Sequence, residues 1–162
     1  NGTGSGTEVM NIDSSGAMTK PLQPAFLAKI ASQIDNITVG GVSNTTIAFG
    51  TEVFDQNADF ASNTFTAPVA GRYQLSFFLR LENVDTAATS YQFLISTSNR
   101  NYVHLIHPST TFTSDSTYVH ANLSILADMD ASDTATVQYY QDGGTAQTDI
   151  DADSYFSGFL AC

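Results

Sequence analysis

Cysteine, tryptophan and positive charge are scarce in this chain. Its 162 residues include one cysteine, Cys162, no tryptophan, and five Lys and Arg against 16 Asp and Glu, for a formal net charge of −11. A single cysteine excludes an intrachain disulfide, and we expect Cys162 to be an inert terminal thiol. The negative charge repels nucleic acid and anionic membrane surfaces. No run approaches the roughly 18 apolar residues of a membrane span, so we expect neither a nucleic-acid partner nor membrane insertion.

Catalytic signatures are also missing. The chain has no Gly-x-Ser-x-Gly elbow of the kind that carries a hydrolase nucleophile. His104 and His107 have opposite parity on an extended strand, so they would not converge on one metal ion. We interpret them, with His120, as histidines of polar strand faces. We therefore predict that the protein is not an enzyme.

One acidic run is a weak candidate for binding a cation. Asp149, Asp151 and Asp153 alternate along the chain, which places their carboxylates on one face of an extended segment, where they could share calcium. The run lacks the glycine and the closing glutamate of an EF-hand loop. A solvated acidic loop is the alternative, and we expect no cofactor unless calcium binds here.

The length and the composition fit one domain with a short extension. Residues 1–9 are rich in Gly, Ser and Thr and read as a flexible linker. Residues 10–24 read as two short extended pieces around a Ser-Gly turn, ended by two prolines. We therefore assign residues 1–23 to an extended linker or neck and residues 24–162 to a head. Because the chain starts with Asn rather than Met, we expect a fragment or a processed product.

The clearest strand signal covers residues 72–81. The odd positions there are Tyr, Leu, Phe, Leu and Leu, whereas the even positions are mostly polar, which is typical of a strand with one buried face. Pro68 ends the preceding strand, since it cannot donate to a ladder. Gly71 gives the backbone freedom to re-enter the sheet. Phe78 interrupts the polar face.

Short strands with turn signals between them recur along the head, and no window carries a helical stripe. Residues 54–57 read as a loop. This pattern predicts an all-β sandwich or barrel. The predicted strands lie near 25–31, 46–50, 63–66, 71–82, 90–96, 102–106, 118–126, 134–141 and 154–161.

Three passages are similar to a known family. They are residues 54–57 (FDQN), residues 63–77 (NTFTAPVAGRYQLSF) and the closing residues 155–160 (YFSGFL). Together they resemble the signature of C1q-like domains, relatives of tumour necrosis factor. The resemblance implies an antiparallel jelly-roll sandwich that forms a homotrimer. Ser132 stands where the family usually has glycine, and Gly158 is expected to permit close packing.

The lead-in has a separate resemblance. Residues 12–26, with IDSSG followed by Pro21 and QP-x-F, resemble a passage that precedes the C-terminal head of bacteriophage tail-fibre proteins. This implies a virion-surface location and upstream fibre or virion proteins as partners. A secreted location is the alternative.

Aromatic residues left on an outer sheet face would fit a threefold interface. The candidates are Phe78, Tyr139 or its neighbour Tyr140, Tyr155 and Phe159. Scattered surface aromatics, which are ordinary in soluble proteins, are the alternative.

Loops at one end of the sandwich are the expected ligand surface, because rigid scaffolds carry recognition in loops. The loops are residues 96–101, 107–118 and 141–148. Their amides, hydroxyls and aromatic rings suit a surface glycan, and plain polar loops are the alternative. The candidate receptor-binding residues are Arg100, Asn101, Tyr102, His107 and Gln141.

The function that these features favour is a trimeric tail-fibre head that attaches non-covalently to a host-surface glycan. Three linked sites would raise the effective concentration of one another. One alternative is a structural capsid-decoration or fibre-capping module without a receptor. A second is a secreted C1q-like lectin or signalling protein.

Overall fold

Alternating apolar residues place most of the chain in antiparallel strands. The computed structural model describes residues 10–40 and 43–162. The predicted linker at residues 1–9 lies outside these residues, as does Gly41 of the Gly40-Gly41 pair, which the sequence marks as a turn. The elements are β1 (Asn11–Ile12), β2 (Met18–Thr19), β3 (Ala25–Lys29), β4 (Thr45–Thr46), β5 (Thr51–Gln56), β6 (Phe60–Ala61), β7 (Thr64–Thr66), β8 (Gly71–Val84), β9 (Ala88–Thr97), β10 (Asn101–Ile106), α1 (Pro108–Thr111), β11 (Ser116–Met129), β12 (Thr134–Gly143), β13 (Asp149–Ile150) and β14 (Tyr155–Leu160).

The strands of the head form two sheets packed face to face. The first sheet has the order β11-β8-β14-β3-β5, with β13 also paired to β8. The second has the order β10-β9-β12-β7-β6, with β4 also paired to β12. Every ladder between these strands is antiparallel. The prediction of an antiparallel jelly-roll sandwich is confirmed.

The core between the sheets is built around aromatic rings. Phe26 stacks against Phe60 and Phe65, with ring centroids 5.0 Å and 4.8 Å away, and meets Phe156 edge-on at 5.0 Å. The odd residues of β8, from Tyr73 to Leu81, are buried as their alternation predicts. Their even neighbours face away from the core, which leaves an outer face on the first sheet.

Gly158 allows two core side chains to approach the backbone of β14. A Cβ atom at this position would lie 2.6 Å from Leu75 Cδ2 and 2.8 Å from Phe26 Cε1. Both distances are shorter than any normal carbon contact. The predicted role of Gly158 in close packing is confirmed.

Several short elements differ from the prediction. Residues 54–57 were expected to be a loop, but residues up to Gln56 belong to β5, which pairs with β3 across a register shift. The strand expected at 46–50 is limited to β4 at Thr45–Thr46, although Ile47 still donates its N–H to Val137 O. Pro108 starts the single helical turn α1. Strands β6 and β13 were not expected.

The predicted extended pieces in the lead-in form a hairpin. Strands β1 and β2 pair around a turn in which Gly16 has a φ of +86°. The Asp13 carboxylate accepts the N–H groups of Ser15 and Ala17 at 2.8 and 2.9 Å. These bonds, with that from the Ser15 hydroxyl, hold the turn and lower the pKa of Asp13.

Candidate functional site

The outer face of the first sheet carries a group of aromatic side chains that do not enter the core. Phe78 on β8 and Tyr155 on β14 are direct cross-strand partners, and their rings stack with centroids 5.5 Å apart. His120 on β11 lies on the other side of Phe78, at 5.0 Å. Tyr155 is 38% exposed. The three strands therefore present a continuous row of rings directed away from the core.

A second apolar area lies nearer the chain termini on the same face. Phe159 is 49% exposed, and Phe54 on the edge strand β5 is 51% exposed. Between them is a depression of about 290 Å³, which has Ser76 and Ser157 in its lining. The hydroxyls of these two serines bond each other across the strands at 3.0 Å. Their polar groups therefore have a partner even if the depression is covered.

These residues largely agree with the aromatic candidates from the sequence. The structure brings Phe78, Tyr155 and Phe159 to one face. Sequence reasoning missed Phe54, because residues 54–57 were read as a loop. It also missed His120 as a neighbour of Phe78, because strand register is not written in a single sequence.

Tyr139 does not belong to this face, and that prediction is wrong. Tyr139 is only 5% exposed and lies in the core. Its hydroxyl oxygen accepts the N–H of Thr38 at 3.3 Å. Tyr140 faces outward instead, but on the second sheet.

An ionic cluster stands at one edge of the outer face. Arg80 is 3.2 Å from Asp153 Oδ2 and 3.1 Å from Glu82 Oε1, and its guanidinium lies over the Tyr118 ring at 4.7 Å. Partial burial alone would lower the pKa of Arg80, but Asp151, Tyr118 and Glu82 outweigh it and raise this pKa. Arg80 therefore remains a cation and partners these carboxylates.

The calcium candidates are spread over different partners. Asp149 accepts the backbone N–H of Asn36 at 2.7 Å and the side-chain amide of Asn83 at 3.2 Å. Asp151 and Asp153 face Arg80 instead. In residues 10–40 and 43–162, no group of three or more His, Cys, Asp or Glu could hold a metal ion. The geometry gives calcium no preformed site there.

The two ends of the sandwich are different environments. The N–H of Arg72, at the start of β8, donates to Cys162 O at 2.7 Å, so β8 begins beside the C-terminus. Strand β3 begins at this end as well, since Ala25 pairs with Phe159. We call this the base end. Strand β8 finishes near Val84 at the opposite end, which we call the free end.

The predicted receptor-binding residues do not share one end. The turn after β9 is at the base end, because the side-chain amide of Asn99 donates to Asp128 O, and Asp128 pairs with Arg72. Arg100 belongs to this turn, and Asn101 is the first residue of β10. The prediction that the three loops cluster at one end is therefore wrong. Consecutive hairpin loops of an antiparallel sheet alternate between its ends.

Local hydrogen bonds fix the conformation of the turn between β9 and β10. Thr97 Oγ1 donates to Arg100 O at 2.9 Å, and Ser96 Oγ donates to Asn101 Oδ1 at 2.8 Å. Tyr102 follows on β10 and packs partly against the core. These residues shape the base end.

The prediction that Gln141 is a receptor-binding residue is also wrong. Its side chain is 0% exposed, and its amide donates to Gly143 O and Thr145 O at 3.1 and 3.0 Å. It supports the loop from inside and presents no surface to a ligand. Gln141 therefore lies at the free end but beneath its surface. His107 is the only one of the five candidates that is exposed at the free end, where its Nδ1 lies 3.2 Å from Thr89 O.

Two carboxylates hold the loops of the free end together. Asp85 accepts the N–H and the hydroxyl of Thr145 at 2.7 and 2.9 Å. Asp115 accepts the N–H and the hydroxyl of Thr86 at 2.8 and 2.7 Å, and the side-chain amide of Gln147 at 3.0 Å. These bonds lower the pKa of Asp115, chiefly through the Thr86 N–H. The loops of the free end are therefore linked to one another by side-chain hydrogen bonds.

The architecture defines a class of protein: a jelly-roll head with an apolar outer sheet face and loops at the end opposite its termini. The chain belongs to the C1q domain family, whose model matches residues 25–161. Domains of this family form trimers and are generally non-enzymatic binding or signalling modules. They are typically extracellular or secreted. None of the helices in the described residues has the length and apolar character to cross a membrane.

Solved structures share the fold at low sequence identity. The globular domain of zebrafish complement 1qA protein has a TM-score of 0.59 and 17% identity, over 86% of this chain and 98% of that one. Two structures of murine APRIL, at pH 8.5 and pH 8.0, each have a TM-score of 0.59 and 9% identity, over 85% of this chain and 98% of theirs. No curated protein sequence matches this chain.

Proposed function

We propose that this protein is a homotrimeric attachment head that binds a host-surface glycan through its free end. The observation that carries the proposal is the apolar outer face of the first sheet. Phe54, Tyr155 and Phe159 are 38% to 51% exposed there, next to the stacked Phe78. Burying such a surface between copies removes apolar area from water, and trimers are the assemblies that this family forms.

In this trimer, the free end faces away from the stalk that would carry the head. Residue 24 and residue 162 both lie at the base end, so a preceding stalk would join there. His107, Thr86 and Thr145 stand at the opposite end, with the hydroxyls of α1 beside them. Hydroxyl and amide groups donate and accept hydrogen bonds, as a polyhydroxylated ligand requires. Arg100, Asn101, Tyr102 and Gln141 take no part.

A tail fibre of a bacterial virus is the setting that we propose. The support is the resemblance of residues 12–26 to fibre lead-ins, together with the position of that segment at the base end. Upstream fibre or virion proteins would then be partners at the base end, and the head would lie on the virion surface.

The test is binding of the 162-residue protein to an array of bacterial surface polysaccharides. We expect the assembled protein to bind at least one polysaccharide. Phe78→Asp, which separates the copies, should bind about 10²–10⁴-fold more weakly because avidity is lost. His107→Ala at the free end should weaken binding, whereas Arg100→Ala at the base end should not.

One observation favours the structural alternative. Asp85 and Asp115 satisfy the loop amides of the free end internally, as a capping or capsid-decoration module without a receptor would need. A trimer that binds no polysaccharide would support this alternative. Binding to animal cell surfaces alone would favour a secreted lectin or signalling protein.

A further inference from the structure

The hairpin of the lead-in has one apolar face and one polar face. Ile12 pairs directly with Met18, and Met10 lies two residues before Ile12 on the same side. Their side chains are 50% (Met10), 56% (Ile12) and 56% (Met18) exposed. We call these three residues the hairpin face. Asn11 and Thr19 pair on the opposite, polar side.

The hairpin is held by hydrogen bonds in its turn, although its apolar side chains pack little against the rest of the described chain. The Asp13 carboxylate accepts three hydrogen bonds from the turn, and Asp13 N–H donates to Ala17 O at 3.0 Å. A two-stranded hairpin alone is marginally stable in water, and packing of its apolar side is what usually stabilises it. The turn thus presents a hairpin face that the described residues leave about half exposed.

The hairpin is tied to the outer face of the first sheet. Gln56 on β5 donates its side-chain amide to Lys20 O at 2.8 Å, and Gln23 donates to Leu160 O at 2.6 Å. Met18 and Phe159 line one depression. Because Phe159 belongs to the outer face, Met18 places one residue of the hairpin face beside that apolar surface, across a depression that Lys20, Gln23 and Gln56 also line.

We propose that the hairpin face is a self-association surface, covered by a second copy of this chain. The neighbour that covers Phe159 would cover Met18 as well, since the two line the same depression. The inference rests on the proposed trimer and adds the lead-in to its interface. It makes residues 10–20 part of the assembly, where they would otherwise be only a linker to the head.

The chain contains its own reporters for this contact. It has three methionines: Met10 and Met18 on the hairpin face, and Met129 in the core at 1% exposure. Oxidation of a methionine by hydrogen peroxide depends on its access to solvent. The experiment measures the three oxidation rates by mass spectrometry, in the intact protein and in Phe78→Asp, with the oligomeric state of each sample determined by analytical ultracentrifugation.

The expected result is slow oxidation of Met18 in the trimer and a several-fold faster rate in monomeric Phe78→Asp, while Met129 stays slow in both. A trimer in which Met18 oxidises as fast as in the monomer would overturn the inference and leave the proposed trimer intact. A Met18 that is equally protected in the monomer would show that its own chain covers it, which also overturns the inference. An intact protein that is monomeric at all concentrations would overturn both proposals.

A substitution on each side of the hairpin gives a second measurement. Ile12→Ser should raise the dissociation constant of the trimer by a factor of about ten or more, because each copy would bury one aliphatic side chain less. Thr19→Ser, on the polar side, should leave it unchanged. Equal dissociation constants for the two variants would contradict the inference. The melting temperature of each variant checks that its head is folded.

Discussion

Phe78 and Tyr155 stack across β8 and β14 at 5.5 Å, with their ring planes 18° apart, on the side of the sheet away from the core. Aromatic pairs in this geometry contribute about 0.5–1.5 kcal/mol beyond the area that they bury. In the proposed trimer, a neighbouring copy would therefore meet two rings that are already packed against each other.

Phe78→Asp should convert the proposed trimer to monomers. A charge at the centre of an apolar interface would have to be buried without a partner, which costs several kcal/mol per site. Sedimentation velocity measures the result. The matched control is Tyr140→Asp, which introduces the same charge in place of an outward-facing aromatic residue on the second sheet. A Phe78→Asp protein that remains trimeric would remove Phe78 from the interface.

Gly158→Ala should destabilise the head by about 1–3 kcal/mol, the usual cost of overpacking a core. The new Cβ would lie 2.6 Å from Leu75 Cδ2, and the Gln74 carbonyl oxygen at 3.2 Å limits how far it can shift. Urea denaturation measures the free energy of unfolding. Gly50→Ala is the control, because its Cβ would meet only the exposed Ala31 side chain, at 3.1 Å. Equal losses in the two variants would refute the packing argument.

Ser132→Gly should stabilise the head. Ser132 has a φ of +76°, a left-handed conformation that costs a non-glycine residue about 1–2 kcal/mol. Part of this gain is offset by the greater freedom of glycine in the unfolded chain, so we expect a net gain of about 0.5–1 kcal/mol. Thermal unfolding measures it. Ala131→Gly, at the preceding residue without a positive φ, should give no gain.

Acid should loosen the free end through Asp115. Its pKa is lowered from the usual value of 3.8 by hydrogen bonds from Thr86 and Gln147, so folding favours the ionised carboxylate. This contribution is fully present above the usual pKa and is lost as the pH falls through the lowered pKa of the folded state. Amide hydrogen exchange at Thr86 should therefore rise, relative to the intrinsic rate, in acid. In Asp115→Asn that acid-dependent rise should be absent, and in Asp130→Asn it should persist.

Alternation predicted strands and an all-β sandwich or barrel, and the family resemblance narrowed this to a jelly roll. The inward residues of β8 were expected because period-two patterning specifies which side of a sheet a residue faces. The close approach at Gly158 was expected instead from the resemblance of residues 155–160 to the closing strand of C1q-like domains. The edge strand β5 was missed because its first four residues are exposed, so no buried face marks it in the sequence. Strand β5 lies at the edge of its sheet. Edge strands are often short and carry charged side chains, so they leave little hydrophobic pattern in the sequence.

Two errors in the predicted sites have a single cause. Tyr139 and Gln141 have the same parity on β12 as the buried Ala135 and Val137, so the alternation of that strand already placed both inward. Applying the parity that was used for β8 would have selected Tyr140 as the outward residue. The separation of Arg100 from His107 follows from topology, because β10 carries the chain from one end of the sandwich to the other.

Cys162 is exposed and is the only cysteine of the chain. Its main-chain oxygen bonds the start of β8 at the end where β3 also begins. A maleimide-bearing chip or bead would therefore capture the protein in one orientation through this thiol. Every immobilised molecule would then present His107 and its neighbouring loops to the analyte, so that dose–response curves would report a uniform layer.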